Sequence, residues 1–181
     1  MTEVWHRAAK RRRVRWTVTD DTGPNPEPPV SIVETEREES ELKKAVVVYR
    51  SHSGVTRRYA EEIGAFLQKQ GVQASVASVG DCDFATLADA DYVLLGCWTS
   101  GLFFILQHPD EPWLAFVRDM PETKRPRIGL FTTYKLATGS QFPKMRAALA
   151  GKTNVPELEL KSRNGHLSPA DEKAVGSFVS R

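Results

Sequence analysis

The feature that most constrains this chain is a set of short apolar runs with no polar alternation. They are Ala45-Val46-Val47-Val48-Tyr49, Tyr92-Val93-Leu94-Leu95-Gly96-Cys97 and Ile128-Gly129-Leu130-Phe131-Thr132. A strand with one wet face alternates apolar and polar residues, so a run that is apolar throughout is a strand buried on both faces, as in a parallel sheet covered by helices. Amphipathic stretches lie between the runs. In residues 56–70, Tyr59, Ile63, Phe66 and Leu67 recur at helical spacing, with Arg57, Arg58, Glu61 and Glu62 outside. Gly71 then supplies a stop. Val72, Ala74, Val76 and Val79 indicate a further strand, and residues 155–160 a last one. Shorter helices are expected at 84–88, 113–119 and 141–150. Ser168-Pro169-Ala170-Asp171 combines an N-cap serine, a first-turn proline and an acidic N3 residue, opening a terminal helix with Ala174, Val175, Phe178 and Val179 inward. Strands alternating with helices five times imply right-handed crossovers: an α/β fold, a three-layer doubly wound sandwich on a parallel sheet. Such folds bind ligands at the carboxyl ends of their strands.

The alternation occupies residues 43–181 and leaves residues 1–42 as an extension. Residues 1–16 hold six basic side chains against one acidic, including Lys10-Arg11-Arg12-Arg13; residues 17–42 hold eight acidic against one basic. Between these blocks lies the stiff Pro24-Asn25-Pro26-Glu27-Pro28-Pro29. The composition of the extension buries too little apolar surface to order itself unless it docks on something. Its Arg15-Trp16-Thr17-Val18-Thr19 has strand propensity and could add to a sheet edge. The basic arm could meet a partner or fold back on the acidic block, whereas nucleic-acid binding is poorly supported because no such motif is present. The body, 18 basic against 14 acidic residues, is mildly basic. The two cysteines, Cys82 and Cys97, are too few for a disulfide scaffold and lack metal-ligand spacing. They fit a reducing cytoplasm. No apolar stretch approaches the roughly 20 residues needed to span a bilayer, and the basic start has no signal-peptide core behind it.

Three loops follow the buried strands. The first, Ser51-His52-Ser53-Gly54-Val55-Thr56, offers small hydroxyl residues and a glycine at a helix start, where backbone amides converge on an anion. It has no lysine, unlike nucleoside-triphosphate loops. It therefore suits a phosphate monoester held by neutral donors, or else is an ordinary capped turn. His52 either tunes that loop with pH or is an exposed spacer. The second loop contains Trp98-Thr99-Ser100-Gly101, then the apolar Leu102-Phe103-Phe104-Ile105-Leu106. The third is Thr132-Thr133-Tyr134-Lys135-Leu136-Ala137-Thr138-Gly139-Ser140.

The strand, the Ser-x-Ser-Gly-x-Thr loop and the amphipathic helix together resemble the flavodoxins and flavodoxin-like FMN proteins, of the short-chain type. Val55 stands where those loops most often carry Asn. The resemblance covers residues 45–180 in element order. It implies a five-stranded sheet of order 2-1-3-4-5 and FMN at the carboxyl edge. It further implies phosphate contacts from Ser51, His52, Ser53, Gly54, Val55 and Thr56. Trp98, Thr99, Ser100 and Gly101 would then wrap the flavin ring, with Trp98 or Phe103 stacked on it and Thr99, Ser100 and the Gly101 amide reaching its pyrimidine edge. Thr133, Tyr134, Lys135 and Gly139 would approach the ring from the third loop. Trp98 could instead pack in the core, and Lys135 could be a solvated loop lysine. A cation near the reduced ring would stabilise its anion and raise the potential.

The function this implies is an FMN-binding redox protein transferring electrons to or from a protein partner. A mildly basic body points to an acidic partner or a small apolar substrate rather than the basic reductases that acidic carriers meet. The first alternative is a flavin-dependent oxidoreductase acting on a quinone or porphyrinogen, favoured by the apolar residues 101–106, which could equally form a short buried helix. The other is an FMN-less module serving as a binding or assembly subunit. Pairing with a second copy of the chain stays open.

Overall fold

The computed structural model describes residues 42–100 and 107–181. The extension, with its basic arm, proline spacer and predicted strand at 15–19, and the apolar segment 101–106 with Gly101 and Phe103, lie outside the described residues.

The first apolar run becomes β1 (Lys44–Arg50), followed by α1 (Val55–Lys69) and β2 (Gln73–Ser78). Then come α2 (Phe84–Asp89), β3 (Tyr92–Trp98), α3 (Glu111–Asp119) and β4 (Arg127–Thr133). The described chain closes with α4 (Gln141–Leu149), β5 (Leu158–Ser162) and α5 (Pro169–Val179). All pairings are parallel, in the order β2-β1-β3-β4-β5, as the resemblance implies.

The apolar runs are double-faced because the sheet separates two cores. Val46, Val48, Val93, Leu95 and Leu130 meet Leu87 of α2, Trp113 and Phe116 of α3, and Met145 of α4. Their chain neighbours Val47, Leu94 and Phe131 point the other way, onto Tyr59 and Ile63 of α1 and Val175 and Phe178 of α5. The edge strands read differently for the same reason. β5 alternates buried Leu158, Leu160 and Ser162 with exposed Glu159 and Lys161, so only one of its faces is covered. β5 also begins later than residues 155–160 predicted. Val155 is 79% exposed, and the first bond toward the sheet is Glu157 N–H to the Ile128 carbonyl at 2.8 Å. Pro156 just before it has no N–H to offer the ladder.

The predicted boundaries elsewhere shift by a residue or two. Gly96, Cys97 and Thr132 lie in strands as their apolar runs placed them, Trp98 and Thr133 extend those strands by one residue, and Val55 joins Thr56 at the start of α1. Gly96 has a packing reason. It pairs with Phe131, and a Cβ there would lie 2.2 Å from that ring. Phe131 in turn meets Tyr59 edge-on at 5.9 Å. At the chain's end the capping box forms as read: the Asp171 N–H donates to Ser168 Oγ at 3.2 Å, and the Ser168 N–H to Asp171 Oδ2 at 3.1 Å.

Candidate functional site

The loops after β1, β3 and β4 converge at the carboxyl edge of the sheet around a cavity of about 330 Å³. That lies within the roughly 300–1,000 Å³ usual for small-molecule sites.

From the first loop, His52, Ser53 and Val55 line the cavity. Ser51, Gly54 and Thr56 do not line it. Gly54 is the N-cap of α1 with φ +85°, a left-handed conformation that side chains resist. No side chain caps this helix and no acidic residue sits in its first turn, so the positive end of its dipole is not offset. Part of the loop's donor capacity is already used. The Gly54 N–H donates to Ser51 Oγ at 3.0 Å, and the fully buried Thr56 hydroxyl shares a 2.7 Å hydrogen bond with that of Thr133.

From the second loop, Trp98 and Thr99 line the cavity. Trp98 is half-buried and held by more than packing. Its indole N–H donates to Asp110 Oδ2 at 3.0 Å, and the Arg50 guanidinium reaches the same oxygen at 2.9 Å. Its ring lies 5.4 Å from that of His52, tilted by 31°. The Thr132 hydroxyl gives its proton to the Cys97 carbonyl at 2.7 Å. It can therefore only accept in its 3.1 Å bond with Thr99, which leaves the Thr99 oxygen as an acceptor toward the cavity. Ser100 does not line the cavity; its backbone exchanges two hydrogen bonds with His108 at 3.0 and 3.1 Å.

From the third loop, Thr133, Tyr134 and Lys135 line the cavity, while the exposed Gly139 does not. The loop is tied at both ends. The Tyr134 N–H donates to the Ser162 carbonyl at 3.2 Å, and the Gln107 amide to the Ala137 carbonyl at 2.6 Å.

Four lining residues were not singled out in the sequence: Leu136 and Ala137, which lie within the third loop, and Gln107 and Arg163. Arg163 follows β5, a strand after which no site residue was expected. Its guanidinium donates through Nε to the Lys135 carbonyl at 2.9 Å. The only signal for it was its place at a strand's carboxyl end.

The thiols take no part. Cys97 is fully buried, its thiol is pushed far up by that burial, and the Gln141 amide donates to its sulfur at 3.0 Å. Burial raises Cys82 to about 11. Among the described residues no three His, Cys, Asp or Glu side chains group as metal ligands, and no helix is long and apolar enough to cross a membrane. The arrangement offers an aromatic wall, hydroxyl acceptors and cations.

Comparison with known proteins agrees with this fold. The flavodoxin family model matches residues 47–151. A flavodoxin from the domain Archaea superposes with a TM-score of 0.55 at 19% identity, over 75% of this chain and 92% of that one. The two-electron reduced flavodoxin of Megasphaera elsdenii gives 0.60 at 18%, over 76% and 99%. Rubredoxin oxygen:oxidoreductase from Desulfovibrio gigas gives 0.60 at 15%, but there the match spans only 34% of the longer chain. At these identities the structural likeness establishes the fold.

Proposed function

The chain belongs to the flavodoxin family, and on that premise we propose that it holds FMN at the carboxyl edge of its sheet and passes electrons to or from a protein partner. Members of this family bind FMN and transfer electrons to partner proteins. The observation that carries the reading is the convergence of three loops, read separately in the sequence, on one cavity with an aromatic wall, hydroxyls and cations.

The residues present fit the group. Ser53 and the uncapped start of α1 suit a phosphate ester, Trp98 and Tyr134 offer faces for a planar ring, and the Thr99 oxygen can accept from a ring imide N–H. FMN supplies the one- and two-electron chemistry when bound; the chain supplies orientation, partial exclusion of water and charge. The Arg50–Asp110 pair fixes the Trp98 ring in place, so less ordering remains to be done on binding. The mildly basic body fits an acidic protein partner. Two free thiols fit a reducing cytoplasm.

One observation favours a second reading, an FMN-less binding module. The Gly54 N–H and the Thr56 hydroxyl, two groups that would face a phosphate, already have partners within the chain. The visible spectrum after incubation with excess FMN and removal of the unbound fraction separates the two. A retained flavin spectrum, lost in Gly54→Asp and weakened in Thr56→Ala, is the expected result. A colourless wild-type protein would leave the module reading.

A further inference from the structure

The cavity is lined by two cations, Lys135 and Arg163, and by no carboxylate among its described residues. Neither cation has an ion-pair partner among the described residues, in contrast to Arg57, Arg118, Arg127 and Arg146. Unoffset positive charge on the two exposed cations of a concave site favours an anion there. The first loop has no lysine of its own, so any full positive charge for a phosphate must come from elsewhere in the fold.

Arg163 is placed to provide it. The β5–α5 loop that carries it is built against the start of α1. Arg58 donates to the Asn164 carbonyl. Gly165, at φ +78°, comes so near Val55 that a Cβ would lie 2.4 Å from the Val55 carbonyl oxygen. The Gly165 N–H donates to the buried Ser162 Oγ at 3.0 Å. Glu62 of α1 takes the Leu167 N–H and the His166 ring, each at 2.7 Å. These bonds hold the segment beside Ser53 and Val55 before any ligand arrives. Arg163 spends its Nε–H on the Lys135 carbonyl, and its two NH₂ groups keep four donors for a ligand. A guanidinium held in this way loses less entropy when it binds a phosphate than a free side chain would.

We infer that Arg163 is the specificity residue that distinguishes a phosphorylated ligand from its neutral counterpart at this cavity, pairing with the phosphate ester while the neutral loop shapes the cradle. The inference rests on the FMN reading above and goes beyond it, because it places the discriminating charge on β5–α5 rather than on the loop after β1.

The test titrates the full chain with FMN and with riboflavin, following the quenching of flavin fluorescence, for the wild type, Arg163→Gln and Arg163→Lys. The wild type binds FMN more tightly than riboflavin. Arg163→Gln weakens FMN about tenfold, the worth of one partly exposed charged hydrogen bond, and leaves riboflavin unchanged. Arg163→Lys keeps part of the preference. An equal loss for both ligands in Arg163→Gln would make Arg163 only a brace for the Lys135 loop and overturn the inference. So would no loss for either, while the flavin reading stood. A wild type that binds neither flavin would overturn that reading and this inference together.

Discussion

The two ends of the sheet use charge in opposite ways. At the amino end nearly every charged group near the strand starts has an opposite partner. Lys43 meets Asp91 at 3.4 Å, Lys44 meets Asp89 at 2.6 Å, and Arg125 approaches Asp89 at 3.5 Å. Arg127 meets Glu157 at 2.6 Å while also donating to the Phe178 carbonyl and lying over the Phe178 ring. At the carboxyl end Lys135 and Arg163 line a cavity without a carboxylate. Charge at one end is spent within the fold. At the other end Arg50 pairs with Asp110, but Lys135 and Arg163 have no ion-pair partner among the described residues.

Substitutions can break this comparison, and the largest effect is expected where the carboxyl end does have a pair. Asp110→Ala strands the Arg50 charge and the Trp98 indole N–H beside a nearly buried site. It should cost about 2 kcal/mol of stability, short of the full loss for a deeply buried pair because Arg50 is partly exposed. It should also weaken FMN binding by freeing the aromatic wall. Chemical denaturation and a flavin titration check the two parts, and a variant of wild-type stability would remove Asp110 from the frame of the site.

At the amino end, Arg127→Ala should cost about 1 kcal/mol, or a Tm lowered by roughly 2–4 °C, with flavin affinity untouched. A change in flavin affinity would show that the two ends are coupled. The same end should carry an acid signature. The Lys44 amide and Lys43 hold Asp91 below its usual range, the Lys44 ammonium holds Asp89 down, and the Arg127 guanidinium holds Glu157 down. Groups depressed in the folded state add stability that is complete above the unfolded carboxylate range and is lost as pH falls through the folded values, below about pH 4. Thermal melts from pH 7 to pH 2.5 should therefore fall mainly below pH 4, and Arg127→Ala should flatten that fall.

The smallest effect is expected at Lys135. Lys135→Ala should leave stability within about 0.5 kcal/mol, because the side chain is exposed, and lower the FMN midpoint potential by roughly 20–40 mV, the worth of one screened charge. An unchanged potential would place the lysine away from the ring.

The sheet's interior was legible because burial on both faces leaves a direct mark on composition. Val46 and Val47 face different cores, and both must be apolar. The edges were less legible. β5 carries exposed Glu159 and Lys161, and Val155 lies outside the strand although it is apolar. Eight of the proposed site residues line the cavity: His52, Ser53, Val55, Trp98, Thr99, Thr133, Tyr134 and Lys135. They could be named in advance because the Ser-x-Ser-Gly-x-Thr loop between strand and helix carries a family resemblance, and that resemblance implies residues in all three loops. Gly96 was legible as part of a buried strand, but not as the space that Phe131 fills across the strand pair.

The sequence by itself determined which segments are strands buried on two faces, where the anion-friendly helix starts, and that the body is mildly basic. Those properties depend on residue type and near-neighbour spacing, and both are written in the chain. Only the tertiary structure decided that the Thr56 hydroxyl is shared with Thr133, 77 positions away, that Asp110 fixes Trp98, and that Arg163 joins Ser53 at one cavity. Parallel pairing brings the ends of distant strands together, and no local pattern records which side chains meet there.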